Sequence, residues 1–104
     1  MSAAYRLTPE ARDGFQRIAC DAEERFGPEV ADKVVEAIET AFERLTSNPA
    51  IGHSREDLTQ DERIRFWSVG PTLLAYRTQP KWVEIVFVER GEMDWERMLI
   101  KSRE

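Results

Sequence analysis

The sequence predicts an α+β fold in which a helical hairpin packs on one face of an antiparallel sheet. Two segments with apolar residues at helical spacing occupy residues 8–48, and three segments with alternating polarity follow within residues 63–89. Helices grouped ahead of a run of strands are typical of α+β domains. The predicted element order is β-α-α-β-β-β with a short C-terminal helix, in a single domain that covers residues 1–104.

The two predicted helices are bounded by residues that favour helix ends. Thr8 is a good N-cap, and Pro9 suits the first helical position. Gly27 and Pro28 end the first helix and begin the second, which ends at Asn48. Because the connection is so short, the two helices must fold back to back as a hairpin.

A first strand is predicted over residues 4–7, and three later strands over 63–69, 72–78 and 82–89. Turn residues separate the last three, so we expect them to form an antiparallel meander. The stretch between the second helix and these strands has no periodicity and is interpreted as a polar loop.

The last predicted strand is apolar on both faces, and both faces therefore need to be covered. Alternation assigns Val83, Ile85 and Phe87 to one face, and Trp82, Val86 and Val88 to the other. The helical hairpin covers one face. Since little of the chain remains for the other, we expect an open apolar surface that binds a partner. The alternative is that the C-terminal helix and the tryptophans close this second face.

The charges are distributed unevenly along the chain, whose net charge is −5. Residues 1–62 carry seven Lys/Arg and fourteen Asp/Glu, whereas residues 63–83 carry four basic residues and no acid. This balance argues against a general nucleic-acid binder, and direct sequence-specific nucleic-acid binding is not expected. The basic stretch favours either recruitment of an acidic partner or simple solubility of a strand face. No apolar run is long enough to span a bilayer or to act as a secretory signal, so a cytoplasmic protein is expected.

The residues that catalysis or metal binding requires are scarce. The single histidine, His53, lies in the polar loop, and the single cysteine, Cys20, lies in the first helix. One His and one Cys far apart do not form a zinc site, and the chain has no glycine-rich phosphate loop. We therefore predict no catalytic residues, no metal and no cofactor.

Five segments, in order along the chain, together resemble the pattern of a known protein family. Residues 5–11 resemble a short strand that runs into a Leu-Ser/Thr-Pro helix start, and residues 25–31 resemble the helix–helix junction. Residues 48–58 read NPAIGHSREDL and are similar to the loop pattern NP-x-x-G-x-x-R-x-D-L. The central hairpin over 65–77 and the final strand over 85–94 complete the set, which covers nearly the whole chain. Taken together, these segments resemble the RelE/ParE toxin superfamily, and its ParE branch in particular.

The resemblance implies the toxin of a type II toxin–antitoxin module, neutralised by a cognate, ParD-like antitoxin. ParE members inhibit DNA gyrase and are not enzymes in the usual sense, so gyrase is the expected target. RelE members instead cleave mRNA on the ribosome. That alternative would use a basic and aromatic cluster formed by Arg63, Arg65, Tyr76, Arg77 and Lys81.

Two departures from the family pattern leave a third reading open, a non-toxic relative that survives as a binding or regulatory module. Arg90 stands where ParE-like chains usually carry His, and Met93 stands where an Arg precedes Asp94. The predicted partner surface consists of Arg65, Trp67, Arg77, Trp82, Arg90 and Trp95. Within the loop motif, Arg55 and Asp57 are predicted to form an ion pair that pins the loop.

Overall fold

Two helices precede three consecutive strands, as the sequence predicts. The structure is a computed structural model and describes residues 4–90. The elements are β1 (Ala4–Leu7), α1 (Pro9–Phe26), α2 (Pro28–Ser47), a 3₁₀ turn (Pro49–Ile51), β2 (Arg65–Val69), β3 (Thr72–Thr78) and β4 (Trp82–Arg90). The α+β class is therefore confirmed, while the predicted C-terminal helix lies outside the described residues. No helix in the described part of the chain is long and apolar enough to cross a membrane.

The start of α1 is fixed by Thr8, which also joins the helix to the sheet. Its hydroxyl oxygen accepts a hydrogen bond from the backbone N–H of Ala11 at 3.1 Å, and this satisfies one of the unpaired donors of the first turn. The same hydroxyl donates to the carbonyl oxygen of Val86 at 2.8 Å. Between the helices, Gly27 has φ +94°, a conformation that L side chains rarely adopt.

The sheet has the order β1-β4-β3-β2 and is mixed. β2, β3 and β4 form the predicted antiparallel meander. β1 lies beside β4 and runs parallel to it, so that Tyr5 is opposite Val83 and Leu7 is opposite Ile85. The N-terminal strand and the last strand are thus neighbours in space, although most of the chain lies between them.

A β-bulge at Val86 corrects the predicted faces of β4. Ala75 lies opposite Phe87, whereas the next residue of β3, Tyr76, lies opposite Ile85, so that Val86 is the extra residue. Beyond the bulge the alternation changes phase. Phe87 therefore packs with Val86 on the face away from the helices, and Val88 packs with Ile85 on the helical face.

The helical face of the sheet carries the larger of two apolar clusters. Phe42 of α2 lies at its centre, with its ring 5.1 Å from that of Tyr5 and 5.6 Å from that of Phe15. Burying each such side chain stabilises the fold by about 1.5–3 kcal/mol. The buried members are Ala11, Ile38, Ala41, Phe42, Leu45, Leu74, Tyr76, Val83, Ile85 and Val88.

The second face of the sheet is also buried, and the expectation of an open apolar surface there is wrong. Its cluster consists of Ile64, Phe66, Leu73, Ala75, Val86 and Phe87. None of these residues is more than 6% exposed, and Leu58 from the long loop packs against them. Leu58 lies in the loop that sequence periodicity leaves unassigned, and it therefore contributes part of the apolar cover of this face.

Helix α1 covers the part of the β4 edge that the short strand β1 leaves unpaired. Gly14 makes this possible: a Cβ at that position would lie 2.0 Å from the carbonyl oxygen of Val88. Two ion pairs hold the helix against the same edge. Arg17 donates to Glu89 at 2.7 Å, and Arg90 donates to Asp21 at 3.2 Å. An unpaired strand edge is a template for unwanted pairing, and the helix removes it.

Candidate protein-binding surface

The loop after α2 is anchored to the sheet through the hydroxyl of Tyr76. This hydroxyl donates to the carbonyl oxygen of Pro49 at 2.5 Å and accepts from the backbone N–H of Gly52 at 2.9 Å. Burial raises the pKa of Tyr76 above its ordinary value, so the group stays a neutral donor. Gly52 has no room for a side chain, because a Cβ would meet that hydroxyl at 2.3 Å. The Asn-Pro-x-x-Gly pattern thus has a physical role as a socket for a buried tyrosine.

Arg65 and Trp67 lie on β2 and share the helical face of the sheet. The guanidinium of Arg65 donates to the carbonyl oxygen of Gly52 at 3.0 Å. Trp67 packs against the larger apolar cluster, and its ring stacks with that of His53 at 6.3 Å between centroids. His53 also pairs with the outer edge of β2, because its backbone N–H and C=O both bond to Phe66. These two predicted surface residues therefore hold the loop on the sheet.

Arg77 and Trp82 lie on the opposite face, at the end of the sheet where β4 begins. Arg77 is opposite Glu84 across the β3–β4 pair and forms an ion pair with it. Arg6 of β1 is also opposite Glu84, from the other side. The guanidinium carbon of Arg6 lies 4.7 Å from the centroid of the Trp82 ring, which is cation–π geometry. An Arg-Glu-Arg row thus crosses three strands beside a half-buried tryptophan.

The turn that follows β3 adds a third positive charge to this end of the sheet. Lys81 immediately precedes Trp82 and is exposed, as is Arg6. Among residues 4–90, no carboxylate lies within ion-pairing distance of either cation. We call this group of Arg6, Arg77, Lys81, Trp82 and Glu84 the Trp82 patch.

The remaining predicted site residues lie elsewhere. Arg90 is at the end of β4 and forms an ion pair with Asp21 of α1. The other carboxylate oxygen of Asp21 lies 3.1 Å from Nε of Arg25. Trp95 lies outside the described residues. The structure therefore brings Arg77 and Trp82 together and separates them from the other predicted positions.

In the long loop, Arg55 and Asp57 form the ion pair that the sequence analysis expects. The Nε and one terminal nitrogen of Arg55 donate to the two carboxylate oxygens of Asp57, at 3.0 Å and 2.8 Å. These hydrogen bonds lower the pKa of Asp57 and raise that of Arg55. The backbone N–H groups of Leu58 and Thr59 both bond to the carbonyl oxygen of Arg55, so the pair closes a compact turn.

The sequence did not identify Arg6 and Glu84 as surface candidates. The alternation of side chains in the first strand does, however, indicate which face of the sheet Arg6 occupies. Tyr5 and Leu7 flank it and are apolar, so a strand there places Arg6 on the face opposite to theirs. What it meets on that face depends on the parallel pairing of β1 with β4. No local pattern encodes that pairing.

The basic residues considered for RNA cleavage do not form one group. Arg65 lies on the helical face, whereas Arg77 lies on the other face and is bound to Glu84. Arg63 is held by Asp61 at 3.0 Å, and the Tyr76 hydroxyl is buried in the loop socket. Within residues 4–90, no three His, Cys, Asp or Glu side chains converge in a way that would hold a metal ion. The structure therefore distributes these side chains over both faces of the sheet and the loop.

Comparisons with known proteins agree in pointing to one family. The sequence matches the family described as the ParE toxin of the type II toxin–antitoxin system, parDE, over residues 5–95. It is 32% identical over 102 residues to toxin ParE3 of Caulobacter vibrioides, covering 98% of this chain and 99% of that protein. It is 29% identical over 100 residues to toxin ParE1 of Mycobacterium tuberculosis, covering 95% of this chain and all of that toxin.

The fold also matches a solved structure titled as the chromosomal ParDE toxin–antitoxin system from P. aeruginosa. The TM-score is 0.71, and the match covers 86% of this chain and 97% of that one. At 22% sequence identity, this similarity supports the fold alone. Because the sequence matches the family over residues 5–95 and a named toxin over nearly its full length, the chain belongs to the ParE toxin family of type II toxin–antitoxin systems.

Proposed function

We propose that this protein is a toxin that inhibits DNA gyrase by direct protein–protein contact and is neutralised by a cognate, ParD-like antitoxin. The observation that carries the contact mechanism is the dispersal of the basic residues. Arg63, Arg65 and Arg77 each contact a different partner in this chain, on different parts of the sheet. A ribonuclease needs such groups gathered around one scissile phosphate.

The charge of the chain supports the same choice. A protein with a net charge of −5 has little general affinity for the polyanionic ribosome, because such binding depends on neutralising phosphates. Contact with a protein requires only one locally complementary surface. Both gyrase and the antitoxin are cytoplasmic, so the proposal places the toxin in the cytoplasm of a prokaryotic cell.

Expression in a bacterial host tests the toxin–antitoxin assignment. We expect induction of the chain alone to stop growth, and co-expression with its cognate antitoxin to restore growth. The two proteins should then copurify as one species in size-exclusion chromatography. Normal growth with folded, soluble chain present would instead favour the non-toxic relative that Arg90 and Met93 suggested.

Two purified reactions separate the possible targets. In a supercoiling assay with gyrase and relaxed plasmid, we expect the chain to inhibit the enzyme, and excess antitoxin to restore activity. In a translating-ribosome assay, we expect intact mRNA. Codon-dependent cuts in the mRNA, with gyrase unaffected, would overturn the proposal in favour of a RelE-type endonuclease.

A further inference from the structure

We propose that the Trp82 patch is a docking surface for a carboxylate-rich peptide segment of a protein partner. This inference rests on the proposed action through protein contacts but does not depend on whether the target is gyrase. The patch is the end of the sheet face opposite the helices, where β1, β3 and β4 contribute Arg6, Arg77 and Trp82.

The patch has the composition of a binding hot spot. Tryptophan and arginine dominate the residues whose truncation weakens protein complexes most. Trp82 is half-buried, so that its ring is held by the sheet while part of it remains accessible. The guanidinium of Arg6 lies over that ring at 4.7 Å, and this contact holds a long, flexible side chain in one place. A partner therefore meets a preorganised cation and loses less conformational entropy on binding.

Charge complementarity identifies the occupant. The patch combines three cations, Arg6, Arg77 and Lys81, with the single carboxylate of Glu84, whereas the chain as a whole has a net charge of −5. Glu84 is already bound by Arg77, which leaves Arg6 and Lys81 to meet an incoming group. An acidic segment is therefore attracted to this basic end of the sheet, although the net charge of the chain is negative.

A peptide fits this surface better than a nucleic acid does. Affinity for nucleic acid grows with the number of phosphates that a protein neutralises, and two cations without a carboxylate partner among residues 4–90 neutralise few. A peptide can place two or three carboxylates beside Arg6 and Lys81 and avoid Glu84. It can also lay an aliphatic side chain on the accessible part of Trp82.

Fluorescence anisotropy with the full chain tests the proposal. The probe is a fluorescein-labelled twelve-residue peptide rich in Glu with two Leu, and the comparison ligands are its Lys-for-Glu counterpart and a twelve-nucleotide single-stranded RNA. We expect the acidic peptide to bind and the two comparison ligands not to bind. Added salt should weaken the binding of the acidic peptide. Equal or tighter binding of the RNA, or binding of the basic peptide, would overturn the inference.

Variants locate the binding on the patch. We expect Arg6→Ala and Trp82→Ala each to raise the Kd of the acidic peptide by about tenfold, as truncation of hot-spot residues does. The matched control is Arg12→Ala, which removes one exposed cation from α1 and should change binding by less than about twofold.

Glu84→Gln provides a test that partial unfolding cannot imitate. This substitution removes the only carboxylate of the patch and therefore its repulsion of the peptide carboxylates. Because electrostatic complementarity across an interface favours binding, we expect the Kd of the acidic peptide to fall by about threefold. Unchanged or weaker binding by this variant, with a native circular dichroism spectrum, would refute the assignment. These measurements use no gyrase and no antitoxin, so their failure is distinguishable from failure of the proposed function.

Discussion

The contact between α1 and the edge of β4 predicts that Gly14→Ala destabilises the protein. In most helices this change stabilises by about 1 kcal/mol, because alanine loses less backbone entropy on folding. Here the added methyl carbon would lie 2.0 Å from the carbonyl oxygen of Val88. Because this oxygen belongs to the backbone of β4 and not to a flexible side chain, relieving the overlap requires the helix or the strand to move. Ordinary carbon–oxygen contacts are near 3.3 Å, so the helix must withdraw by more than about 1 Å.

Withdrawal of the helix weakens the packing and polar contacts between α1 and β4. Overpacking of a well-packed site costs about 1–3 kcal/mol, occasionally more. The hydrogen bond of Thr8 to Val86 and the ion pair between Arg17 and the buried Glu89 also lengthen. These losses exceed the helical gain, and we expect Gly14→Ala to reduce the free energy of unfolding by ~2 kcal/mol.

Urea unfolding followed by circular dichroism measures this effect, and a thermal scan should show a midpoint lower by about 8–15 °C for a domain of this size. The control is Gln16→Ala, an exposed position in the same helix, where we expect a change within about 0.5 kcal/mol. If Gly14→Ala proved as stable as the native chain or more so, the close packing of α1 on the β4 edge would be refuted.

Three further predictions follow from the loop and the helix start. Tyr76→Phe leaves the buried N–H of Gly52 without its acceptor and should reduce the free energy of unfolding in urea by about 2–3 kcal/mol. A loss below about 0.5 kcal/mol would contradict the anchoring of the loop by this hydroxyl. Thr8→Ala should cost about 1–2 kcal/mol, whereas Thr8→Ser, which keeps the hydroxyl, should cost much less. Because Arg55 lowers the pKa of Asp57, the stability from this pair is present at neutral pH and is lost as pH falls through that lowered pKa. An NMR titration should place the Asp57 pKa below 3.8 in the native chain and higher in Arg55→Ala, and equal values in both would contradict the pair.

The local sequence was sufficient to predict the helices and most strand bounds. Thr8 and Pro9 start α1, and Gly27 ends it, because caps act within one turn of the chain. The strands over 4–7 and 72–78 match the structure, since alternation and turn residues are also local signals. The Arg55–Asp57 contact likewise joins residues two apart and was predictable for the same reason.

The candidate surface was predictable only in part. Trp82 and Arg77 were expected at a partner surface, and they lie together. Arg65 and Trp67 were expected beside them, but they lie on the opposite face and hold the loop. Strand alternation gives the relative faces within one strand, but the face that a whole strand presents depends on its neighbours.

What the sequence determined by itself is the set of elements and the family. Helix caps, alternation and the Asn-Pro-x-x-Gly loop pattern each depend on residues a few positions apart. Only the tertiary structure decided that β1 lies parallel to β4, that Val86 is an extra residue in its strand, and that Arg6 meets Trp82. These contacts join residues up to about eighty positions apart, and the packing of the whole chain selects them because no local energy distinguishes one register from another.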